Sequence, residues 1–200
     1  MLVYDYDNDT GGVLQPDVAW AAVHTSHCVC GGSRAIGDHT EHTDITDWKE
    51  WTETTYLPKE AGSYYLTQNV EISEAWEPAD GTVLCLNGHS ITNDTRAYAL
   101  RVYKAKSDSQ APKVTIKDSA GGGKIINGSE KAGYRGLAIS GDGTVVTLTS
   151  GVTVTGDYAA DVQNGGKLVI EDAAVQGVTV GVAVWGHEAD ETGISTLEIK

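Results

Sequence analysis

The sequence predicts an all-β chain, and within that class a right-handed parallel β-helix of about five incomplete coils. Three observations favour this fold. Val, Thr, Ile and Tyr are plentiful beside 24 glycines, whereas the chain has no Phe and a single Met, a composition typical of strands and turns. No long segment has apolar residues at helical spacing. Finally, short strand-like runs recur along the C-terminal half.

The recurring runs fall into two sets. In the first set, a strand-like stretch leads through a polar turn into a second apolar stretch, at 83–93, 114–128, 145–156 and 167–177, with 195–200 beginning a fifth. The second set supplies one further short strand between them, at 98–103, 136–141, 158–166 and 181–186. The chain therefore cycles through three short strands per repeat, as a parallel β-helix does.

Apolar residues alternate with polar ones in these runs, which predicts an inward row. Leu86, Ile116, Leu148 and Ile170 are expected to stack in one column, and Leu148 to Ile170 gives a period of 22 residues. All of the positions expected to face inward are apolar: Leu84, Leu86, Val114, Ile116, Val146, Leu148, Leu168 and Ile170. Crossover rules favour a right-handed coil. An antiparallel sandwich is the alternative, although the triplet of strand types argues against it.

Changes in residue composition along the sequence divide the chain into four parts. We expect an irregular tail over 1–22, a Cys/His segment over 23–43, a Trp- and Tyr-rich capping region over 44–80, and the β-helix over 81–200. The first residues lack the basic and apolar regions of a signal peptide, and the last ones read as a strand without a following turn. We therefore expect a piece of a larger protein whose β-helix is truncated at its C-terminal end, rather than a complete cytoplasmic protein.

The charge of the chain limits the classes of partner that it can bind. Lys plus Arg number 14 and Asp plus Glu number 28, which gives a formal net charge of −14. Such a surface repels phosphate backbones, so we expect no nucleic-acid partner. No apolar run approaches the ~20 residues of a spanning helix, so no membrane insertion is expected. Neutral glycans or protein surfaces remain as candidate partners.

A short polar segment near the N-terminus concentrates cysteine and histidine. Cys28 and Cys30, followed by His39 and His42, supply two thiolates and two imidazoles, a closed tetrahedral ligand set for structural Zn²⁺. His27 is the alternate ligand. Two other interpretations stay open: a strained disulfide between Cys28 and Cys30, or an exposed polar loop that binds nothing.

Four stretches of the chain resemble segments of a known group of proteins: HCVCGG (27–32), HTEH (39–42), LPKEAGSYYLTQNV (57–70) and LCLNGHSI (84–91). With them, residues 24–200 resemble a module of large surface proteins from gut Firmicutes. There, a Cys/His-containing segment and a Trp- and Tyr-rich stretch precede a pectate-lyase-like right-handed β-helix. The resemblance implies an extracellular or cell-surface location and further domains in the same polypeptide. It implies no assigned activity, because most of those adhesin-like proteins have none.

The residues offer no clear catalytic pattern. Asp118 and Asp172 occupy equivalent turn positions and are expected to cap backbone amides, and Arg96, Arg101 and Arg135 stand apart in the sequence. The first hypothesis is therefore a non-catalytic structural or adhesive module, which could also bind glycans. The alternatives are a polysaccharide lyase or glycoside hydrolase with its catalytic part elsewhere, and a cytoplasmic metal-binding domain. Tyr or Trp side chains gathered on one face would favour binding of carbohydrate.

Overall fold

The computed structural model describes residues 4–5, 15–16, 48–105, 107–128, 132–149, 151–186 and 193–200, and every regular element among them is a β-strand. This confirms the all-β class. Within these ranges no helix is long and apolar enough to cross a membrane. The strands are, in chain order, β1 (Tyr4–Asp5), β2 (Gln15–Pro16), β3 (Trp48–Trp51), β4 (Ser63–Leu66), β5 (Val70–Glu71), β6 (Val83–Cys85), β7 (Ser90–Asn93), β8 (Tyr98–Tyr103), β9 (Lys113–Lys117), β10 (Lys124–Asn127), β11 (Arg135–Ser140), β12 (Val145–Thr149), β13 (Thr153–Gln163), β14 (Lys167–Glu171), β15 (Ala174–Val184) and β16 (Thr196–Ile199).

Apart from the antiparallel pair β1–β2, the strands form two parallel sheets. The first has the order β16-β14-β12-β9-β6-β4-β3, and the second has the order β5-β7-β10-β13-β11-β8, with β15 also paired to β13. Neighbours within a sheet come from successive repeats of the sequence. The long strand β13 pairs with β10 through its first half and with β11 through its second half. This recurrence of three strand segments per repeat is compatible with a β-helix.

The inward row lies where the alternation predicts it. All eight positions expected to face inward are at most 8 % exposed, and Ile116, Leu148 and Ile170 lie side by side in register. The prediction that Leu86 joins them is wrong, because Leu84 is the residue beside Ile116. Shifting a strand by two residues leaves the same side chains facing inward. The alternation therefore predicts which residues point inward, but not which pairs are adjacent.

The parallel stacking extends into the Trp- and Tyr-rich region that precedes residue 81. Its strands β3, β4 and β5 belong to the same two sheets, and Trp76 forms a parallel bridge with Leu100. Trp76 is buried, and its indole N–H donates to the carbonyl of Pro58 at 2.8 Å. Tyr64 and Trp76 thus pack in the same apolar core as the later repeats, and Trp51 packs against it.

Turns between the sheets tie one repeat to the next. Asn87 and Gly88 both adopt positive φ angles, of 52° and 80°, which a tight turn requires and which these two residue types tolerate. The Asp118 carboxylate accepts the backbone N–H of Gly88 at 2.7 Å and that of Gly123 at 2.6 Å. The capping role predicted for Asp118 is therefore confirmed, and the side chain links two repeats.

Candidate functional site

The predicted zinc ligands Cys28, Cys30, His39 and His42, with the alternate ligand His27, lie outside the described residues. The zinc site therefore stays a prediction. Within the part of the chain that the structure describes, no group of three or more His, Cys, Asp or Glu side chains could hold a metal ion.

Two other residues of chemical interest lie in the described ranges. Cys85 is a free thiol and fully buried, with its sulfur 3.1 Å from the Ser119 hydroxyl. Burial raises the pKa of the Cys85 thiol above its ordinary value, so the thiol stays protonated and unreactive at neutral pH. Asp172 is an exposed turn residue with a φ of 54°. The buried Cys85 thiol is not accessible to a ligand.

Aromatic and cationic side chains gather along β8, β11 and the second half of β13. The register aligns Arg135 with Tyr98 and Tyr158. Three positions further along the strands, it aligns Arg101 with Asp161 through an alanine on β11. We call this cluster the Tyr–Arg face: Tyr98, Arg101, Tyr103, Arg135, Tyr158 and Asp161. Its three tyrosines are half-buried and come from two different repeats, so the stacking of strands builds one surface from separate parts of the sequence.

The two guanidinium groups of the Tyr–Arg face lie over the tyrosine rings. The Arg101 guanidinium is 4.1 Å from the centre of the Tyr103 ring and 5.9 Å from that of Tyr98. The Arg135 guanidinium lies 5.5 Å from the Tyr98 ring and 5.6 Å from the Tyr158 ring. These distances are within cation–π range, so each arginine holds the rings around it in place.

A buried carboxylate anchors the Tyr–Arg face. Asp161 has no exposed surface, and its Oδ2 accepts hydrogen bonds from the Arg135 Nε and, at 2.8 Å, from the Gln163 amide. Its Oδ1 is buried without a hydrogen-bond partner among the described residues. Because an unpaired buried carboxylate is costly, the ion pair with Arg135 fixes the position of the arginine.

A cleft of about 450 Å³ opens beside the Tyr–Arg face, at the corner of the second sheet. In two repeats the buried Asn93 and Asn127 occupy this corner, and their side-chain amides donate to backbone carbonyls. In the following two repeats the corner positions are Gly156 and Gly177. A Cβ on Gly177 would lie 1.7 Å from the carbonyl oxygen of Val180, so no side chain fits there. We call this space the corner cleft; it is lined by Asn127, Gly128, Thr155, Gly156, Asp157, Gln176, Gly177 and Val178.

Hydrogen bonds connect the corner cleft to the Tyr–Arg face. Asp157 accepts hydrogen bonds from the Thr179 hydroxyl and the Gly133 backbone N–H. The Gly133 carbonyl in turn accepts from the Arg135 guanidinium at 2.6 Å, and Arg135 pairs with Asp161. The Thr179 hydrogen bond, then that of Gly133 and the charge of Arg135, hold the pKa of Asp157 below its ordinary value. The cleft therefore presents an ionised carboxylate at neutral pH.

Sequence reasoning missed this site because its members are far apart in the chain. Arg101 and Arg135 looked isolated, although Arg101 pairs with Glu77 at 3.2 Å and Arg135 pairs with Asp161. Aligning the second set of repeats would have placed Tyr98, Arg135 and the tyrosine of β13 in one row. Comparison with protein-family models, with curated proteins and with solved structures found no match to this chain.

Proposed function

We propose that the chain is a right-handed parallel β-helix that serves as a non-catalytic structural or adhesive module of a bacterial cell-surface or secreted protein. The parallel pairing of strands from successive repeats supports the β-helix, and the handedness rule for parallel crossovers supports the right-handed sense. The resemblance to surface proteins of gut Firmicutes, with further domains in the same polypeptide, supports the location.

We further propose that this module binds a neutral glycan on the Tyr–Arg face. One observation carries this proposal: three tyrosines and two arginines from separate repeats converge on one surface. Tyrosine rings offer flat apolar area for a sugar ring and a hydroxyl for its polar edge. Guanidinium groups add hydrogen-bond donors in fixed directions, and the adjoining corner cleft adds amide, hydroxyl and carboxylate groups.

Charge favours a neutral ligand over an acidic one. Both arginines of the face are already paired, Arg101 with Glu77 and Arg135 with Asp161. The corner cleft contributes the ionised Asp157, and the whole chain carries a formal charge of −14. A polyanionic glycan would therefore meet electrostatic repulsion, and the two paired arginines of the face would offset it little.

The carboxylate of the Tyr–Arg face favours binding over catalysis. Hydrolysis of a glycosidic bond uses two carboxyl groups that flank the scissile bond. Asp161 is fully buried and engaged by Arg135, so it cannot deliver a proton to a bound sugar. A lyase or hydrolase activity remains the alternative function, with its catalytic groups elsewhere in the polypeptide.

Calorimetric titration with a panel of neutral oligosaccharides tests the glycan proposal. We expect at least one to bind the full chain, and Tyr103→Ala to weaken that binding by about tenfold or more, as loss of a stacking ring does. Tyr56→Ala is the matched control, because it removes another partly exposed tyrosine away from the face. Equal affinity of the Tyr103→Ala protein, or tight binding of polygalacturonate in low-salt buffer with chelator, would contradict the proposal.

A further inference from the structure

A second cavity, distant in sequence from the Tyr–Arg face, is open to solvent and has three aromatic rings in its lining. Trp51, Tyr56 and Tyr64 line a space of about 470 Å³. The Trp51 ring stands at 89° to the Tyr56 ring and 88° to the Tyr64 ring, with centre-to-centre distances of 5.6 and 5.7 Å. Two tyrosine walls thus meet one indole at right angles, which forms a box rather than a flat platform.

Hydrogen bonds hold the three rings in place. The Trp51 indole N–H donates to the backbone carbonyl of Tyr56 at 2.9 Å, and the Tyr64 hydroxyl donates to that of Glu60 at 3.2 Å. Tyr64 is 5 % exposed and Tyr56 is 49 % exposed. One wall is therefore built into the core and the other is open to a ligand, so little ordering is required when a ligand binds.

The electrostatic surroundings suit a cation. Partial desolvation, and then the nearby Glu53 carboxylate, raise the pKa of the Tyr56 hydroxyl, which places a negative charge beside this ring. The Lys49 ammonium lies 5.5 Å from the centre of the buried Tyr64 ring, so this wall already has a cation of the chain beside it, and the exposed Tyr56 ring is the wall left for the cation of a ligand. Glu60 and Lys59 at the rim of the cavity carry opposite charges, which offset each other. The net charge of −14 concentrates cations around the whole molecule.

We propose that Trp51, Tyr56 and Tyr64 form an aromatic cage that binds a quaternary ammonium group of the choline type. A trimethylammonium group is compact, cationic and weakly hydrated, so it gains cation–π attraction from several rings at a small desolvation cost. A sugar ring is the competing ligand, but it needs a flat face, and the perpendicular rings offer a corner instead. This proposal does not depend on the glycan-binding function of the Tyr–Arg face.

Titration of the full chain with choline, followed by tryptophan fluorescence and calorimetry, tests the cage. The matched ligand is 3,3-dimethylbutan-1-ol, which has the shape of choline without its charge. We expect saturable binding of choline and at least about tenfold weaker binding of the neutral alcohol. Equal binding of the two ligands, or no binding of choline, would overturn the proposal.

Variants locate the site. Tyr56→Ala removes the open wall and should abolish choline binding, whereas Tyr56→Phe keeps the ring and should retain binding within a few-fold. Tyr103→Ala, on the Tyr–Arg face, should leave choline binding unchanged. Because Tyr56 is about half exposed, both substitutions are compatible with the fold. Unchanged binding by a folded Tyr56→Ala protein would place the choline site elsewhere and contradict the aromatic-cage proposal.

Discussion

The two sides of the strands β8, β11 and β13 differ completely in chemistry. On the inner side, Leu100 lies beside Leu137, and neither is more than 1 % exposed. One residue further along, on the outer side, Arg101 and Asp161 belong to the Tyr–Arg face. Because side chains alternate across a strand, one backbone carries both rows. The comparison teaches that the inner rows hold the fold, while the outer rows are free to carry a ligand site.

The largest effect is expected from a charge placed in the inner row. Leu148→Asp would bury an unpaired carboxylate between Ile116 and Ile170, which costs several kcal/mol against a typical total stability of about 5–15 kcal/mol. We expect the variant to lose its cooperative thermal transition by circular dichroism.

The neighbouring residue supplies the control for this test. Thr147 is the adjacent residue on β12 and is only partly buried, so Thr147→Asp should change the free energy of unfolding by about 1 kcal/mol or less. A cooperative Leu148→Asp protein that melts like the parent would show that the inner row is misplaced.

Breaking the buried ion pair of the outer side should have an intermediate effect. Arg135→Ala leaves the fully buried Asp161 without its cation. We expect a loss of about 2–4 kcal/mol in urea unfolding, somewhat below the value for a fully buried pair, because the Arg135 side chain is 23 % exposed. The double variant with Asp161→Asn should regain part of this loss. Additive effects of the two substitutions would argue against the pair.

A more local effect is expected at the predicted zinc segment. We propose that Cys28, Cys30, His39 and His42 bind one structural Zn²⁺, with His27 as the alternate ligand. Chelation should increase amide hydrogen exchange within 24–42 and leave the parallel sheets protected, because their core lies in other residues. Elemental analysis of protein purified without added metal should give one zinc per chain. A zinc content near zero would refute the site.

The smallest effect concerns the acid in the corner cleft. Since the folded pKa of Asp157 lies below its ordinary 3.8, its stabilising contribution is complete above the unfolded pKa and is lost as pH falls through the folded pKa. Asp157→Asn should therefore be slightly less stable than the parent at pH 7, and the difference should shrink as the pH falls below the ordinary pKa of 3.8. Thermal melts between pH 2 and pH 7 measure it. Parallel curves for the two proteins would contradict the assigned hydrogen bonds.

The inner rows could be predicted from sequence because alternation and repetition report directly on burial. Val146, Leu148, Leu168 and Ile170 are buried as predicted. The exact neighbour of Ile116 could not be predicted, since the run around Cys85 has leucines on both sides of it and either register buries both. Alternation has a period of two, so it carries no information about a shift by two.

The outer rows could not be predicted in the same way. The pairing of Arg135 with Asp161 depends on a register between two strands and on a corner that tightens at Gly156. Neither feature leaves a local pattern, because polar residues on an outer face follow no single rule of burial. Only an alignment of the repeats with one another would have brought these residues together.

The central claim is that the inner rows stabilise the fold while the outer rows carry the ligand site. Arg101→Ala tests this claim most directly, when one sample of the variant is studied by thermal melting and by glycan titration. Arg101 and its partner Glu77 are both more than 40 % exposed, so the ion pair contributes about 0–1 kcal/mol and the melting temperature should fall by less than about 4 °C. Binding of the neutral oligosaccharide should weaken by about tenfold, because the guanidinium that positions Tyr103 is gone. Unchanged affinity, or unfolding of the variant, would contradict the account.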